Sequence, residues 1–290
     1  MSLITEASLF VTASLARRIE RAEASLVEEG AAVAAEAGGD RDVFAQRLNG
    51  GVAAYTDDGS PFNKVAGMGF DGVPSSDDLD RLEAEFAVRR APVQFEISTL
   101  ADPDLFRALT RRGYELVGFE NVLGRALGPI DRAADAETSI RINPVAPHEN
   151  AVWLDAVVTA FLKPDTFDGP ASHESFDRAT LERVYTDTFR APSFERLLAR
   201  RDDEVAGGAS VRVFEGIVQL CGAATLPAHR RQGVQSALLR YRLDMAARRG
   251  CDLAIVTTQP GSKSQQNVQR FGFSLLYARA VLIKSAPLGS

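Results

Sequence analysis

The chain has 290 residues, of which 45% are apolar and 25% charged, and a formal net charge of −6 at pH 7. That length suits two domains of roughly 100–200 residues, the composition is that of an ordinary soluble globular protein, and the acidic balance argues against a general nucleic-acid binder, which carries a basic footprint. Two cysteines, Cys221 and Cys251, are too few for a disulfide framework or a zinc site. No apolar run reaches the roughly eighteen residues of a membrane span, and Arg17, Arg18 and Glu20 are unlike the flank of a secretory signal, so a cytoplasmic protein with no metal, nucleic-acid or membrane partner is expected.

From about Leu9 to Ala37 the chain is rich in Ala, Glu, Leu and Arg, with Leu15, Ile19 and Leu26 spaced for a helix face. One or two helices are expected there, broken at Gly38-Gly39. Strands follow at Val52 to Tyr55 and Lys64 to Phe70, then a turn from Gly72 to Asp78 whose Ser and Asp side chains cap a helix with the stripe Leu79, Leu82 and Phe86. A strand at Val93 to Ile97, a helix from Leu105 to Arg112 ended by Gly113, and a strand from Val117 to Leu127 complete the first half. A linker runs from Gly128 to about Glu137.

The second half opens with a strand at Ile140 to Val145, a helix from Ala151 to Leu162 carrying Trp153, a turn-rich loop from Pro164 to Pro170, and a helix from Phe176 to Phe189. Phe194 to Arg200, Val205 to Phe214 and Ile217 to Leu226 read as an antiparallel meander with turns at Asp202-Asp203 and Glu215-Gly216. Pro227 stops the last of these strands. After Arg230-Arg231-Gln232-Gly233, the residues Val234, Ala237, Leu238, Tyr241 and Met245 form the apolar stripe of a helix ending near Gly250. A strand from Cys251 to Thr258, a short helix from Ser264 to Phe271 closed by Gly272, and a strand from Leu275 to Ile283 end the chain.

The order strand, basic glycine turn, helix describes a phosphate cradle. Gly233 lets a ligand approach the backbone, the free N–H groups of the first helical turn point outward, and two arginines stand beside them. Each helix-end charge interaction is worth roughly 0.3–1 kcal/mol. Alone, such a turn reads better as a solvated arginine pair at an ordinary strand-to-helix turn. Its continuation is more specific, because Arg230, Gly233 and the later Gly272-Phe273 pair together resemble the GNAT superfamily of acyl-CoA-dependent N-acetyltransferases. The resemblance covers the last half of the chain. It departs at Gln235, where the family prefers a small residue that lets the backbone close on the pyrophosphate.

The resemblance implies an α+β fold of mostly antiparallel twisted sheet flanked by helices, with acetyl-CoA as the acyl donor. It implies acyl-CoA binding by Ala223, Ala224, Thr225, Arg230, Arg231, Gln232, Gly233, Val234, Gln235 and Ser236, with Ser264 and Asn267 beside the pantetheine arm. The alternative for Ser264 and Asn267 is helix capping and solvent exposure.

The first half repeats this order. Arg89-Arg90 mirrors Arg248-Arg249 and Gly113 mirrors Gly272 at one offset of 159 (248 − 89 and 272 − 113), whereas Gly67 and Gly222 differ by 155 (222 − 67), so four residues are missing where the second half builds its turn. Chance similarity of two α/β segments is the alternative. The functional reading is two tandem GNAT-like domains, 1–130 and 138–290, the first degenerate, with Asp71, Asp77 and Asp78 in place of the basic turn and one acyl-CoA bound per chain.

An amine must be neutral to attack a thioester, and for a lysine-like amine of pKa about 10.4 this costs about 4.6 kcal/mol at pH 7. A general base or a desolvated pocket offsets that cost, and the backbone N–H groups from Ala223 to Thr225 are the simplest oxyanion donors. The resemblance places family bases at Gln219 and Val256 and the thiolate-protonating tyrosine at Val268, none of which carries a suitable group. Glu215, Tyr277 and His173 remain as catalytic candidates. Their alternatives are a hairpin-turn residue, a strand residue and a loop histidine, while His148 and His229 read as surface residues.

The leading reading is therefore an N-acetyltransferase acting on a primary amine of a small molecule or peptide by direct transfer, as a monomer or homodimer. A non-catalytic acyl-CoA-binding or sensing protein is the competing reading. A mononucleotide site is weaker, since no P-loop or dinucleotide fingerprint is present. The segment from Pro164 to His173 and the strand near Tyr277 are expected to set acceptor specificity.

Overall fold

A computed structural model describes residues 9–128, 139–164 and 175–286. The first element is one long helix, α1 (Ala13–Glu36), started by Thr12, whose Oγ1 accepts from the Leu15 N–H at 3.2 Å. Its Ala-rich face, including Ala16, Ile19, Ala22 and Val27, is fully buried. Gly38 and Gly39 end it in the left-handed region, as the glycine pair suggests.

The first half continues through β1 (Phe44–Leu48), β2 (Gly51–Tyr55), β3 (Lys64–Ala66), α2 (Ser76–Val88), β4 (Val93–Ser98), α3 (Pro103–Arg111) and β5 (Glu115–Ala126). The second comprises β6 (Ile140–Pro144), α4 (Asn150–Phe161), α5 (Arg178–Asp187), β7 (Phe194–Arg201), β8 (Glu204–Phe214), β9 (Ile217–Gln219), β10 (Ala223–Thr225), α6 (Val234–Arg248), β11 (Leu253–Thr258), α7 (Lys263–Gln269) and β12 (Ser274–Lys284). The series strand, helix, strand, helix, strand thus occurs as β3 to β5 and again as β9 to β12, with β10 inserted in the second. The expected mixed fold of mostly antiparallel sheet flanked by helices is present.

Two features differ from the simple expectation of two sheets side by side. The strands form one 12-stranded sheet in the order β1-β2-β3-β4-β12-β5-β11-β9-β8-β7-β6. The last strand of each half has crossed to the other: β12 lies between β4 and β5, and β5 pairs with β11. Among the described residues only two junctions are parallel, β3 with β4 and β9 with β11, one in each half.

The second difference concerns strand lengths. The strand expected from Lys64 to Phe70 stops at Ala66, because Gly67 and Gly69 take φ of +77° and +96°. The strand expected from Ile217 to Leu226 breaks into β9 and β10. Core residues lie on both faces: α6 covers Val211, Val218, Leu220 and Val256, while α1 covers Ile217, Leu253 and Ile255 on the other. Trp153 of α4 seats on the second face against Leu198, over Gly208, where an added Cβ would come within 2.9 Å of its Nε1. Among the described residues no helix is long and apolar enough to cross a membrane.

Candidate functional site

The break between β9 and β10 creates the site. Strands β9 and β11 run parallel through Gln219 and Ile255, and one further bond joins Leu220 N–H to Ile255 O at 2.9 Å. Gly222 then turns with φ of +33°, and the Ser210 N–H donates to both the Cys221 and Gly222 carbonyls at 3.1 Å. Past this point the chain pairs only with β8, so β10 and the end of β11 diverge into an open wedge. The register fixes which groups face it. Leu226 N–H donates to Ala206 O, and Gly222 O receives Ser210, so Gly222, Ala224 and Leu226 are the positions bonded to β8. Alternation along the strand turns the N–H groups of Ala223 and Thr225 to the wedge.

A short 3-10 turn, Pro227–His229, leads from β10 to the basic turn. Arg231 and Gly233 are both left-handed, with φ of +60° and +84°, a form in which successive N–H groups make an anion-accepting concavity. Gly233 is the N-cap of α6, and among the described residues no side chain satisfies the first-turn N–H groups of Val234, Gln235 and Ser236. Val234 is buried and anchors the helix start, Gln235 and Ser236 are half-buried, and Arg231, Gln232 and Gly233 are exposed. Arg230 is folded back, donating from Nε to the Thr225 carbonyl at 3.3 Å and from a terminal nitrogen to the Lys163 carbonyl. Gln232 donates to Ala228 O at 3.1 Å. Among the described residues, Arg231 and the helix N–H groups are therefore the open donors.

Polar demand is unfilled on the two strands that bound the wedge. Thr225 Oγ1 on β10 and Thr258 Oγ1 at the end of β11 are both buried without a hydrogen-bond partner among the described residues. Buried hydroxyls are normally bonded. Two orphan hydroxyls, an edge of strand N–H groups and an uncapped helix start fit an extended polar chain that ends in phosphates. On the far side, α7 is capped by Ser262, whose Oγ accepts from Gln265 N–H at 3.2 Å. Ser264 has no capping role; it is exposed and lies one turn from half-buried Asn267.

The catalytic candidates are scattered. Glu215 is exposed at the β8–β9 hairpin with φ of +45°, at the opposite end of β9 from the wedge, and pairs with Arg21 at 3.2 Å. Tyr277 is buried on β12 with its hydroxyl donating to Glu20 Oε1 at 2.7 Å. Burial and the Glu20 charge push its phenol well above the ordinary value, so it stays protonated. Val256 and Val268 are core residues. His173, and with it the expected specificity segment beyond Pro164, lies outside the described residues; His229 approaches Glu204 at 3.9 Å.

A polar cluster under α1 was missed by the sequence reading. Gln219, at the mouth of the wedge, accepts at Oε1 from Arg212 at 2.6 Å and donates toward Glu23 Oε2 at 3.5 Å. Arg212 also donates to Glu29 Oε2 and Ser193 Oγ at 2.9 Å. Glu20 receives Arg279 Nε at 2.8 Å, and the Arg279 Nη2 lies 3.5 Å from Glu23. Burial pushes the Glu20 carboxyl up against the pull of Arg279. Burial also pushes the Cys221 thiol up to about 12, helped by the Glu23 charge, which leaves it unsuited to act as a nucleophile. The signal available in the sequence was Glu20, Glu23 and the later Glu29 recurring along a helix otherwise rich in alanine.

Residues 156–273 match the model of the acetyltransferase (GNAT) family. No curated protein sequence matches the chain. Among solved structures, a GCN5-related N-acetyltransferase from Kribbella flavida is similar with a TM-score of 0.62 at 20% identity, over 93% of this chain and 96% of that one. A GCN5-related N-acetyltransferase from Sphaerobacter thermophilus gives 0.57 at 17%, over 86% and 77%. A tandem GNAT protein from the clavulanic acid biosynthesis pathway gives 0.56 at 12%, over 93% and 98%. At these identities the likeness is one of fold.

Proposed function

From the membership of residues 156–273 in the acetyltransferase (GNAT) family, we propose that this protein moves an acetyl group from acetyl-CoA directly to a primary amine of a small molecule or peptide. The observation that carries the reading is the wedge between β10 and β11 opening onto the uncapped, left-handed start of α6. Acetyl-CoA supplies the activated acetyl group. The first-turn N–H groups at Val234 to Ser236 and the Arg231 guanidinium would hold its phosphates. The wedge-facing N–H groups of Ala223 and Thr225 would bond the pantetheine and the carbonyl oxygen that becomes negative during transfer. Ser264 and Asn267 on α7 form the opposite wall.

The first domain, over 1–130, is proposed to lack a donor site, leaving one in 138–290. The start of α2 is filled by its own capping box, with Ser75 Oγ accepting from Asp78 N–H at 3.1 Å and Asp78 receiving the Ser75 N–H at 3.2 Å. Asp77 adds negative charge there. The gap beyond β3 is crossed by Asp102 N–H donating to Gly69 O at 2.8 Å. Asp71 is paired with Arg17 at 2.5 Å.

A non-catalytic acyl-CoA-binding protein is the second reading, favoured by Gln219, Val256 and Val268 carrying no acid or base. Calorimetric titration with acetyl-CoA, beside an Arg231→Ala, Gly233→Asp double variant, tests the donor site. One equivalent bound, and lost in the variant, supports it. Two equivalents overturn the degenerate first domain, and none overturns the donor reading. Thiol release from acetyl-CoA with a panel of primary amines then separates transferase from sensor.

A further inference from the structure

We propose that Glu23, carried on α1 by the first half of the chain, is the proton acceptor for the amine at the wedge of the second half; this rests on the acetyltransferase reading above. Gln219 is the last residue of β9 paired with β11, immediately before the strands part. Its side chain points to the face covered by α1, where its Nε2 meets Glu23 Oε2 at 3.5 Å. Burial and, after it, the Glu23 charge push up the thiol of Cys221, two residues further on. A carboxylate thus stands over the position where the strand itself offers only an amide.

The three carboxylates that α1 turns to this face are not equivalent. Glu20 is 1% exposed and locked by Tyr277 and Arg279 at 2.7 and 2.8 Å. Glu29 is held by Arg212 at 2.9 Å and by the Ser193 hydroxyl and N–H. Although burial raises its pKa, those bonds bring it below the ordinary value, so it stays ionised as the counter-charge to Arg212. Glu23 is 7% exposed, yet among the described residues both its polar contacts run from Oε2 at 3.5 Å, to Gln219 and Arg279. It is sheltered from water and, unlike Glu20 and Glu29, is not held by a short hydrogen bond. Arg279, also shared with Glu20, stays charged: burial disfavours its cation, but Glu20 and Glu23 outweigh that.

In the step assigned, Glu23 takes one proton from the alkylammonium, the freed nitrogen lone pair forms the bond to the acetyl carbonyl carbon, and the second N–H proton of the adduct is lost to water. The carbon–sulfur bond breaks, its electron pair leaves on sulfur, and the thiolate is protonated by water. Glu23 returns its proton to solvent. The arrangement gives the first half a catalytic duty independent of whether it binds a ligand.

The test compares wild type, Glu23→Gln and Glu23→Asp for acetyl-CoA binding by calorimetry and for thiol release with the best alkylamine of the panel and with hydroxylamine, an acceptor already neutral at pH 7. The expected result is unchanged acetyl-CoA binding in Glu23→Gln, a loss of about 10²-fold or more in kcat/KM toward the alkylamine, and partial recovery in Glu23→Asp. With hydroxylamine the loss is expected to stay under about tenfold, since no general base is required for a neutral amine. Equal losses toward both acceptors, or alkylamine turnover unchanged, overturn the proposal and leave the transferase reading standing. Acetyl-CoA bound by wild type without turnover of any amine overturns it while the binding reading stands. No binding by wild type overturns both.

Discussion

Arg279 on β12 and Glu20 on α1 are 259 residues apart in sequence and 2.8 Å apart in the fold, each 1% exposed. The pair clamps the exchanged terminal strand to the helix that opens the chain. Tyr277 donates to the same Glu20 oxygen and Glu23 stands on the other side of the guanidinium.

Removing one member of a buried pair strands the other, typically at about 3–5 kcal/mol, while replacing both with apolar residues is often neutral. Glu20→Leu or Arg279→Met alone is therefore expected to lower stability by about that much, and the double variant to recover most of it. Urea unfolding of the four proteins measures this. Additive losses would show that the pair is not coupled.

Acid should loosen two other contacts, one of α1 with β8 through Glu29 and one of α2 with β12 through Glu83. Burial pushes Glu29 and Glu83 up, but hydrogen bonds outweigh it in both: Ser193 and Arg212 hold Glu29, and Arg112 and Lys284 hold Glu83, below the ordinary value. A carboxylate with a depressed folded-state pKa contributes stability above its unfolded pKa of about 4.3, lost as pH falls through the folded value. Stability is expected to be flat in these groups near pH 6–7 and to decline from about pH 5 downward. In Glu29→Gln and Glu83→Gln the acid slope should be shallower, as read from unfolding midpoints between pH 3 and 6. An unchanged slope in both would remove these carboxylates from the account.

The strand exchange was illegible for a physical reason. Periodicity reports which residues of a segment are buried, and Val122, Leu123, Val281 and Leu282 are buried whichever neighbour the strand has. Which sheet it joins is decided by tertiary pairing. The split of β9 from β10 was equally hidden, because Leu220 and Cys221 look like any apolar strand and only Gly222 with φ of +33° marks the departure. Phe44–Leu48 was not anticipated as a strand either; its alternation FAQRL is too short to stand out beside the glycines and charges around it. By contrast, the turn Arg230 to Gly233 was readable, since a glycine that must be left-handed and an uncapped helix start are local properties. The acidic cluster on α1 was not anticipated, because the residues that bury it, Arg212, Gln219 and Arg279, are distant in sequence.

Exchange makes the two halves mutually dependent. Without β12, strand β4 keeps only β3 as a neighbour, and without β5, β11 keeps only β9. Fragments 1–130 and 138–290 expressed separately are expected to be insoluble or to associate through these bare edges, while co-expression yields one complex that melts in a single transition. Two independently folded, monomeric fragments with separate melting transitions would contradict this.

The last prediction isolates the cradle from general stability. Gly233 at φ +84° begins α6 and Gly250 at φ +75° follows its end. An added Cβ at Gly233 would lie 3.7 Å from Ile140 Cδ1, and at Gly250 would meet nothing within 4 Å. Neither substitution to alanine clashes, so each carries only the left-handed backbone cost of about 1–2 kcal/mol. Gly233→Ala and Gly250→Ala should therefore lose similar stability in thermal unfolding. Only at Gly233 does the new methyl stand beside the open N–H groups of the first helical turn, where close approach of a phosphate needs bare backbone. Acetyl-CoA affinity measured by calorimetry should fall about tenfold or more in Gly233→Ala and stay at the wild-type value in Gly250→Ala, about 1.4 kcal/mol of difference at equal stability. Equal affinities in the two variants would mean that this turn does not hold the donor.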